Sequence, residues 1–212
     1  MSSAAERWPP VAPVFFVSYA RMRSIGLTPT AGPDELVMRF FTDLSVNVNE
    51  LISLDIGEDP GFIDRAIRGG EQWEPELLEA AGRCQVLVPL VSPAYLRSRW
   101  CMRELELFSG RPVINRESGR PDHVSAIVPV LWVPTERSAM PPKIRAVQQF
   151  TPLGVDQPRI ATQYEENGIY GLLRTKQEEA YQTVVWKLSM RIREICLKYY
   201  VVAATNGREE AS

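Results

Sequence analysis

Two kinds of apolar pattern alternate along the chain. The segments "VFFVSYA" (14–20) and "QVLVPLVS" (85–92) are short apolar runs rich in β-branched and aromatic residues, which predict buried strands. Between them, the apolar residues from Asp34 to Ile52 recur every three to four positions, a spacing that places them on one face of a helix. The chain is therefore predicted to alternate strands with helices.

Over the whole chain, these patterns predict five strands and four main helices. The strands are 14–20, 61–64, 85–92, 125–133 and, with the weakest pattern, 148–153; the helices are 34–52, 75–83, 98–110 and 180–199. Strands that alternate with helices form a parallel sheet covered on both faces. The predicted fold class is α/β, with a flavodoxin-like five-stranded parallel sheet of order 2-1-3-4-5 and helices on both faces.

The length and the two ends of the chain predict one domain. A chain of 212 residues suits a single core of ordinary size. Residues 1–12 are expected to form a flexible N-terminal lead, residues 13–200 a single domain with a long C-terminal helix, and residues 201–212 a flexible tail.

Composition narrows the range of functions. The net charge is −2 and the isoelectric point is near 5.6, so no electrostatic signal for binding nucleic acid or an anionic membrane is present. No apolar run is long enough to cross a bilayer. Three widely spaced cysteines give no disulfide framework, which fits a cytoplasmic location. With a single histidine, His123, the chain has no zinc-site pattern, and we predict neither a metal nor a cofactor.

Polar and aromatic residues follow the first three predicted strands. They are Ser18 and Tyr19 after the first strand, Asp64 after the second, Ser92 after the third, and Trp100 and Glu104 in the helix beyond it. In an open parallel sheet, ligands bind outside the carboxyl ends of the strands, where the strand order reverses. We therefore expect these residues to share one edge of the sheet and to form a site.

Glu104 is the most unusual member of this set. In "SRWCMRELELF" (98–108), it shares one helix face with Cys101, Leu105 and Phe108, although ionised carboxylates avoid burial unless they are paired or have a function. A favourable interaction with the helix dipole or a pairing with an arginine is the structural alternative to a site role. Cys101 is expected to pack as a small apolar residue.

Three segments, in order, resemble the TIR (Toll/interleukin-1 receptor) domain family. "FFVSYAR" resembles its first strand and turn, "FIDRAIRGGEQW" its second strand and BB loop, and "VLVPLVSPAYLRSRWCMREL" its core block, in which S-x-W-C-x-x-E-L follows a strand that ends in Ser-Pro. The resemblance covers roughly residues 14–110. "RFFTDL", "GFIDR", "PVLWVP" and the long first loop are also similar to the FxsC subgroup of bacterial TIR-like proteins.

The resemblance implies an enzyme that cleaves the nicotinamide–ribose bond of NAD+, the substrate, with Glu104 as the catalytic carboxylate. The residues that we expect to bind this substrate are those that follow the strand ends: Ser18, Tyr19, Asp64, Ser92 and Trp100. This reaction expels neutral nicotinamide and develops positive charge on the ribose, as glycoside cleavage does. One preorganised carboxylate can stabilise that charge without a metal or a general acid.

The resemblance also implies self-association through TIR–TIR contacts of the BB-loop segment, residues 65–74, with Trp73 as the anchor. Another TIR protein or a signalling protein is a further partner that it implies. The BB loop has Gly-Gly where Pro-Gly is common in the family, which changes its stiffness.

Three other functions compete with this one. A TIR module that only scaffolds other proteins would not need Glu104. A two-component receiver domain would need an aspartate at the end of the third strand, where this chain has "LVS". A nucleoside-processing transferase would also use a glutamate, but would not explain the W-C-x-x-E-L block.

Overall fold

The computed structural model describes residues 13–20, 33–54, 57–63, 74–146, 150–151 and 158–204. Strands in chain order are β1 (Phe15–Ser18), β2 (Gly61–Ile63), β3 (Val86–Val91), β4 (Val113–Asn115), β5 (Pro121–Asp122), β6 (Val130–Leu131) and β7 (Tyr199–Val201). Helices are α1 (Pro33–Ile52), α2 (Glu74–Arg83), α3 (Pro93–Arg97), α4 (Arg99–Ser109), α5 (Pro142–Ala146), α6 (Pro158–Arg174) and α7 (Glu178–Lys198).

The main sheet is parallel and has the strand order β2-β1-β3-β6. β1 lies in its centre, where Phe15 pairs with Gly61 on one side and with Val86 on the other. All residues of β1 and β3 are buried, as expected for parallel strands that are covered on both faces. An α/β fold with a parallel sheet, which the sequence predicts, is confirmed.

The prediction of five strands in the order 2-1-3-4-5 is not borne out among the described residues, which form four parallel strands. Within the predicted fifth strand, only residues 150 and 151 are described. The Phe150 amide donates to the Pro129 carbonyl at 3.0 Å, so the chain passes beside the fourth strand at this point.

The fourth strand is also shorter than predicted. The sequence assigns residues 125–133 to it, whereas β6 covers Val130 and Leu131, and an isolated bridge joins Leu87 to Ile127. The register with β3 places Pro129 opposite Pro89. The Pro129 carbonyl accepts from Phe150, so the backbone of Pro129 faces away from β3. Pro89 has no N–H to donate to the fourth strand, and its position between Leu87 and Val91 therefore interrupts the ladder.

A second, antiparallel sheet forms from segments that the sequence patterns do not predict as strands. Its order is β5-β4-β7. Beside it, the buried Arg111 guanidinium donates to the carbonyls of Ala81 and Val202 at 2.8 and 2.9 Å, and burial lowers its pKa. Backbone hydrogen bonds also hold residues 202 and 204, so the first residues of the predicted tail join the fold; residues 205–212 lie outside the described residues.

Helix α6 was not predicted, and it contains a sharp kink. Gly168 has φ 60° and ψ 177°, a conformation that is essentially restricted to glycine. The kink brings the Tyr170 amide to 2.9 Å from the Trp132 carbonyl, and the Tyr164 hydroxyl accepts from the Leu131 amide at 2.8 Å. Helix α6 thus satisfies the backbone at the end of the short fourth strand.

Both long helices, α1 and α7, bury one apolar face in the core. The predicted helices 34–52 and 180–199 correspond to them. The Tyr181 hydroxyl donates to Asp43 at 2.7 Å and links the two helices. In the described part of the chain, none of the helices has the length and apolar character needed to span a membrane.

Replacing Gly168 with alanine should destabilise the fold. A Cβ at this position would lie 2.6 Å from the Trp132 carbonyl oxygen, and the backbone conformation alone costs about 1–3 kcal/mol for other residues. We expect a loss of at least that size in the free energy of unfolding, measured by denaturant titration.

Gly82→Ala is the matched control. Its Cβ would meet only Ala204, at 3.5 Å, inside helix α2. Alanine is favoured over glycine within helices by about 0.5–1 kcal/mol, so we expect no loss of stability. Equal stability of the Gly168→Ala variant and the wild type would contradict the kink.

Candidate functional site

The first and third strands end at one edge of the main sheet, and short capped helices follow the third. The Ser92 hydroxyl accepts from the Tyr95 amide at 3.1 Å and starts α3, while the Ser98 hydroxyl accepts from the Cys101 amide at 3.3 Å and starts α4. Serine is a preferred N-cap because its side chain satisfies an amide that lacks a helical partner. These two caps fix where Tyr95 and the residues of α4 lie against the sheet.

Glu104 lies on the buried face of α4, together with Cys101, Leu105 and Phe108, as the sequence spacing predicts. Its side chain is 3% exposed. The Ser18 hydroxyl, at the end of β1, donates to Oε2 of Glu104. The structure therefore brings together two of the predicted site residues, 86 positions apart in sequence.

Tyr95 completes this cluster, and sequence reasoning missed it. Its hydroxyl lies 3.3 Å from Oγ of Ser18. Burial raises the pKa of Tyr95, so the phenol stays protonated and can donate to Ser18 while Ser18 donates to Glu104. The available signal was a tyrosine in an apolar helix next to a strand end, since a buried phenol requires a polar partner.

The side chains of Ser18 and Tyr19 lie on opposite faces of the sheet. Consecutive side chains of a strand point to opposite sides. Ser18 faces α4 and Glu104, whereas Phe15 contacts Phe41 of α1, and Tyr19 lies on that same side. The predicted set is thus divided between two places.

Tyr19 and Ser92 line a pocket of about 300 Å³ on the α1 side of this edge. The residues that matter for its chemistry are Tyr19, Asp34, Ser92, Arg97, Trp132 and Tyr170. Ser18 and Glu104 are not among its lining residues. We call this cavity the α1-side pocket.

The remaining predicted residues are placed as follows. Trp100 is half-buried on α4, and the Arg103 guanidinium lies over its ring at 5.7 Å from the centroid. Asp64 and Trp73 lie outside the described residues. His123 is exposed, and no group of three or more potential metal ligands occurs among the residues that the structure describes.

Comparison with known proteins gives the family. The model of the TIR domain family matches residues 55–162, about half of the 212-residue chain, and this stretch includes Ser92 and Glu104. The chain belongs to the TIR domain family.

Two further comparisons add detail. No curated protein matches the chain. Among solved structures, the chain is similar to the TIR domains in the structure of the activated Roq1 resistosome directly recognizing the pathogen effector XopQ. The identity is 19%, the TM-score is 0.33, and the likeness covers 83% of this chain and 82% of that chain.

The three buried thiols should be unreactive in the folded protein. Burial raises the pKa of Cys101 to about 11, and those of Cys84 and Cys196 to about 12, from an ordinary value of 9.0. Because the unfolded thiols ionise first, the free energy of unfolding should fall as the pH rises from 9 toward these values. A chromogenic thiol reagent at pH 8 and denaturant titrations above pH 8 measure both effects.

We expect slow labelling of the native protein and three reactive thiols after denaturation. Rapid labelling of all three thiols in the native state at pH 8 would contradict this packing.

Proposed function

We propose that this TIR domain cleaves the nicotinamide–ribose bond of NAD+, by hydrolysis or cyclisation, with Glu104 as the catalytic carboxylate. The observation that carries the proposal is a buried glutamate held by Ser18 at the end of the central strand. We place the activity in bacterial signalling or defence, and the FxsC subgroup remains part of this proposal.

The chemistry requires charge stabilisation more than proton transfer. The C–N bond to the pyridinium breaks, its electron pair leaves with neutral nicotinamide, and the ribose gains oxocarbenium character. Water then adds to the ribose and loses a proton, or a nucleophile of the same molecule closes a ring. A fixed carboxylate in a site of low dielectric constant stabilises this cation.

Ser18 and Tyr95 act in this proposal as positioning residues. The order Tyr95, Ser18, Glu104 forms a chain of buried polar groups whose hydroxyls set the orientation of the carboxylate. Preorganised groups cost no reorganisation at the moment of reaction. Asp64 and Trp100 remain proposed substrate contacts at Glu104, whereas Tyr19 and Ser92, which the sequence also predicted to bind substrate, line the α1-side pocket on the other face of the sheet.

Burial of Glu104 has a consequence for regulation. The Glu104 side chain is only 3% exposed, so in the isolated chain its carboxylate cannot contact the ribose of a bound substrate. We infer that contacts between copies, through the BB-loop segment and Trp73, make it accessible. The proposed NAD+-cleaving activity therefore depends on clustering of the chains.

A non-catalytic TIR scaffold is the second candidate function. The same observation favours it, because a buried glutamate that accepts a hydrogen bond from Ser18 also fits a purely structural link between β1 and α4. On this reading, removing the charge would change stability and leave binding to partners as the only activity.

Glu104→Gln separates the two functions. The substitution keeps the size of the side chain and an acceptor for Ser18, but removes the charge that faces the ribosyl cation. Loss of such a group costs on the order of 10²–10³ in turnover, with little change in melting temperature. Nicotinamide release and thermal unfolding are measured on the wild type and the variant, both clustered on a surface.

Glu106→Gln is the matched control, since Glu106 lies on the same helix and is exposed. The Glu106→Gln variant should keep full activity.

Tyr95→Phe, which removes only the hydroxyl, should lower kcat more than it raises KM. An equally active but less stable Glu104→Gln variant would overturn the catalytic assignment, and a wild type that is inactive under all clustering conditions would favour the scaffold.

Trp73→Ala should weaken self-association. We expect the wild type to form concentration-dependent oligomers in the presence of NAD+, and the variant to remain smaller at the same concentration. Light scattering after size-exclusion chromatography measures this. Trp186→Ala is the control, because Trp186 is an exposed tryptophan on α7. A wild type that stays monomeric, or a Trp73→Ala variant that associates equally, would contradict the assignment.

A further inference from the structure

The α1-side pocket is a second place where the chain can hold a ligand. It lies at the end of β1, β3 and β6, on the sheet face opposite Glu104. Crevices beyond the carboxyl ends of parallel strands are where α/β folds bind ligands. Its volume of about 300 Å³ is at the lower end of the range for small-molecule sites, roughly 300–1,000 Å³.

The walls of the pocket are aromatic and apolar. Tyr19, Trp132 and Tyr170 line it, and the last two rings have centroids 5.9 Å apart. Val37 and Leu90 add aliphatic surface to the lining, and both are buried. Such walls suit a flat ring, because aromatic side chains stack on the π-face of any nucleobase.

Two charges of opposite sign complete the lining. Asp34 comes from the first turn of α1 and Arg97 from the last turn of α3, and both residues are exposed. A carboxylate at the end of an α/β sheet is a typical acceptor for ribose hydroxyls. A guanidinium is the preferred partner of a phosphate, which it can bind through two parallel hydrogen bonds.

We propose that the α1-side pocket binds a nucleoside monophosphate. The aromatic walls take the base, Asp34 the ribose hydroxyls, and Arg97 the phosphate. The small volume favours one nucleotide over a whole dinucleotide. The site goes beyond the proposed reaction, because its lining contains neither Glu104 nor Ser18.

The test compares two probes that differ only in the phosphate. AMP and adenosine are titrated into the full chain by calorimetry, with GMP, CMP and UMP as a panel for the base. Replacing Arg97 with glutamine should weaken AMP binding by about tenfold or more, since hydrogen bonds to charged groups are among the strongest, and should change adenosine binding by less than about twofold.

A variant that fills the pocket and a control variant on the surface distinguish binding in the pocket from non-specific binding at the protein surface. Ala94 lies in the lining, so Ala94→Leu should occupy the cavity and weaken both AMP and adenosine. Arg174→Gln removes an exposed arginine at the end of α6 and should change neither. Thermal unfolding of each variant verifies that it is folded.

The result is independent of catalysis at Glu104. AMP binding to a Glu104→Gln protein should equal that of the wild type, whether or not nicotinamide is released. The proposal is overturned if none of the four monophosphates binds the folded wild type saturably. It is also overturned if Ala94→Leu binds AMP as well as the wild type does, or if Arg97→Gln weakens AMP and adenosine equally.

Discussion

The hydrogen bond from Ser18 to Glu104 ties the central strand of the sheet to the helix that follows the neighbouring strand. A carboxylate on the apolar face of α4 would be costly without such compensation, because a buried acceptor left without a donor loses the full free energy of its hydration. Tyr95 extends the network, and its own position depends on the Ser92 cap of α3. One polar cluster thus fixes the relation of β1, α3 and α4.

The alternation of side chains along β1 gives this sheet edge two different faces. Ser18 contributes to a closed, charged cluster, and Tyr19, its neighbour, contributes to an open aromatic pocket. The physical cause is the two-residue period of a strand, which cannot place adjacent side chains in the same cavity. Two residues that are adjacent in sequence therefore lie in two separate environments, one a buried hydrogen-bonded cluster and the other an open aromatic pocket.

The opposite part of the fold is held by backbone carbonyls and a buried cation. Arg111 joins the end of α2 to the residues after α7. A buried arginine often has a carboxylate partner; here, the guanidinium donates to three backbone carbonyls instead. Hydrogen bonds to a charged donor are stronger than neutral ones. Beside this cluster, residues 199–201 form a strand of the second sheet, although the sequence predicts that the helix continues to residue 199 and that the tail begins at residue 201.

The sequence by itself determined the α/β class, the first three parallel strands, the long helices and the placement of Glu104 on a buried helix face, because each depends on a local period or a local cap. Tertiary structure decided the rest. Pro89, which has no N–H to donate, interrupted the ladder to the fourth strand, and Gly168 let α6 turn toward that strand. The partnership of Tyr95 with Ser18, and the separation of Ser18 from Tyr19, depend on which elements pack on each sheet face. Local patterns cannot contain that information, since these contacts join residues far apart in the chain.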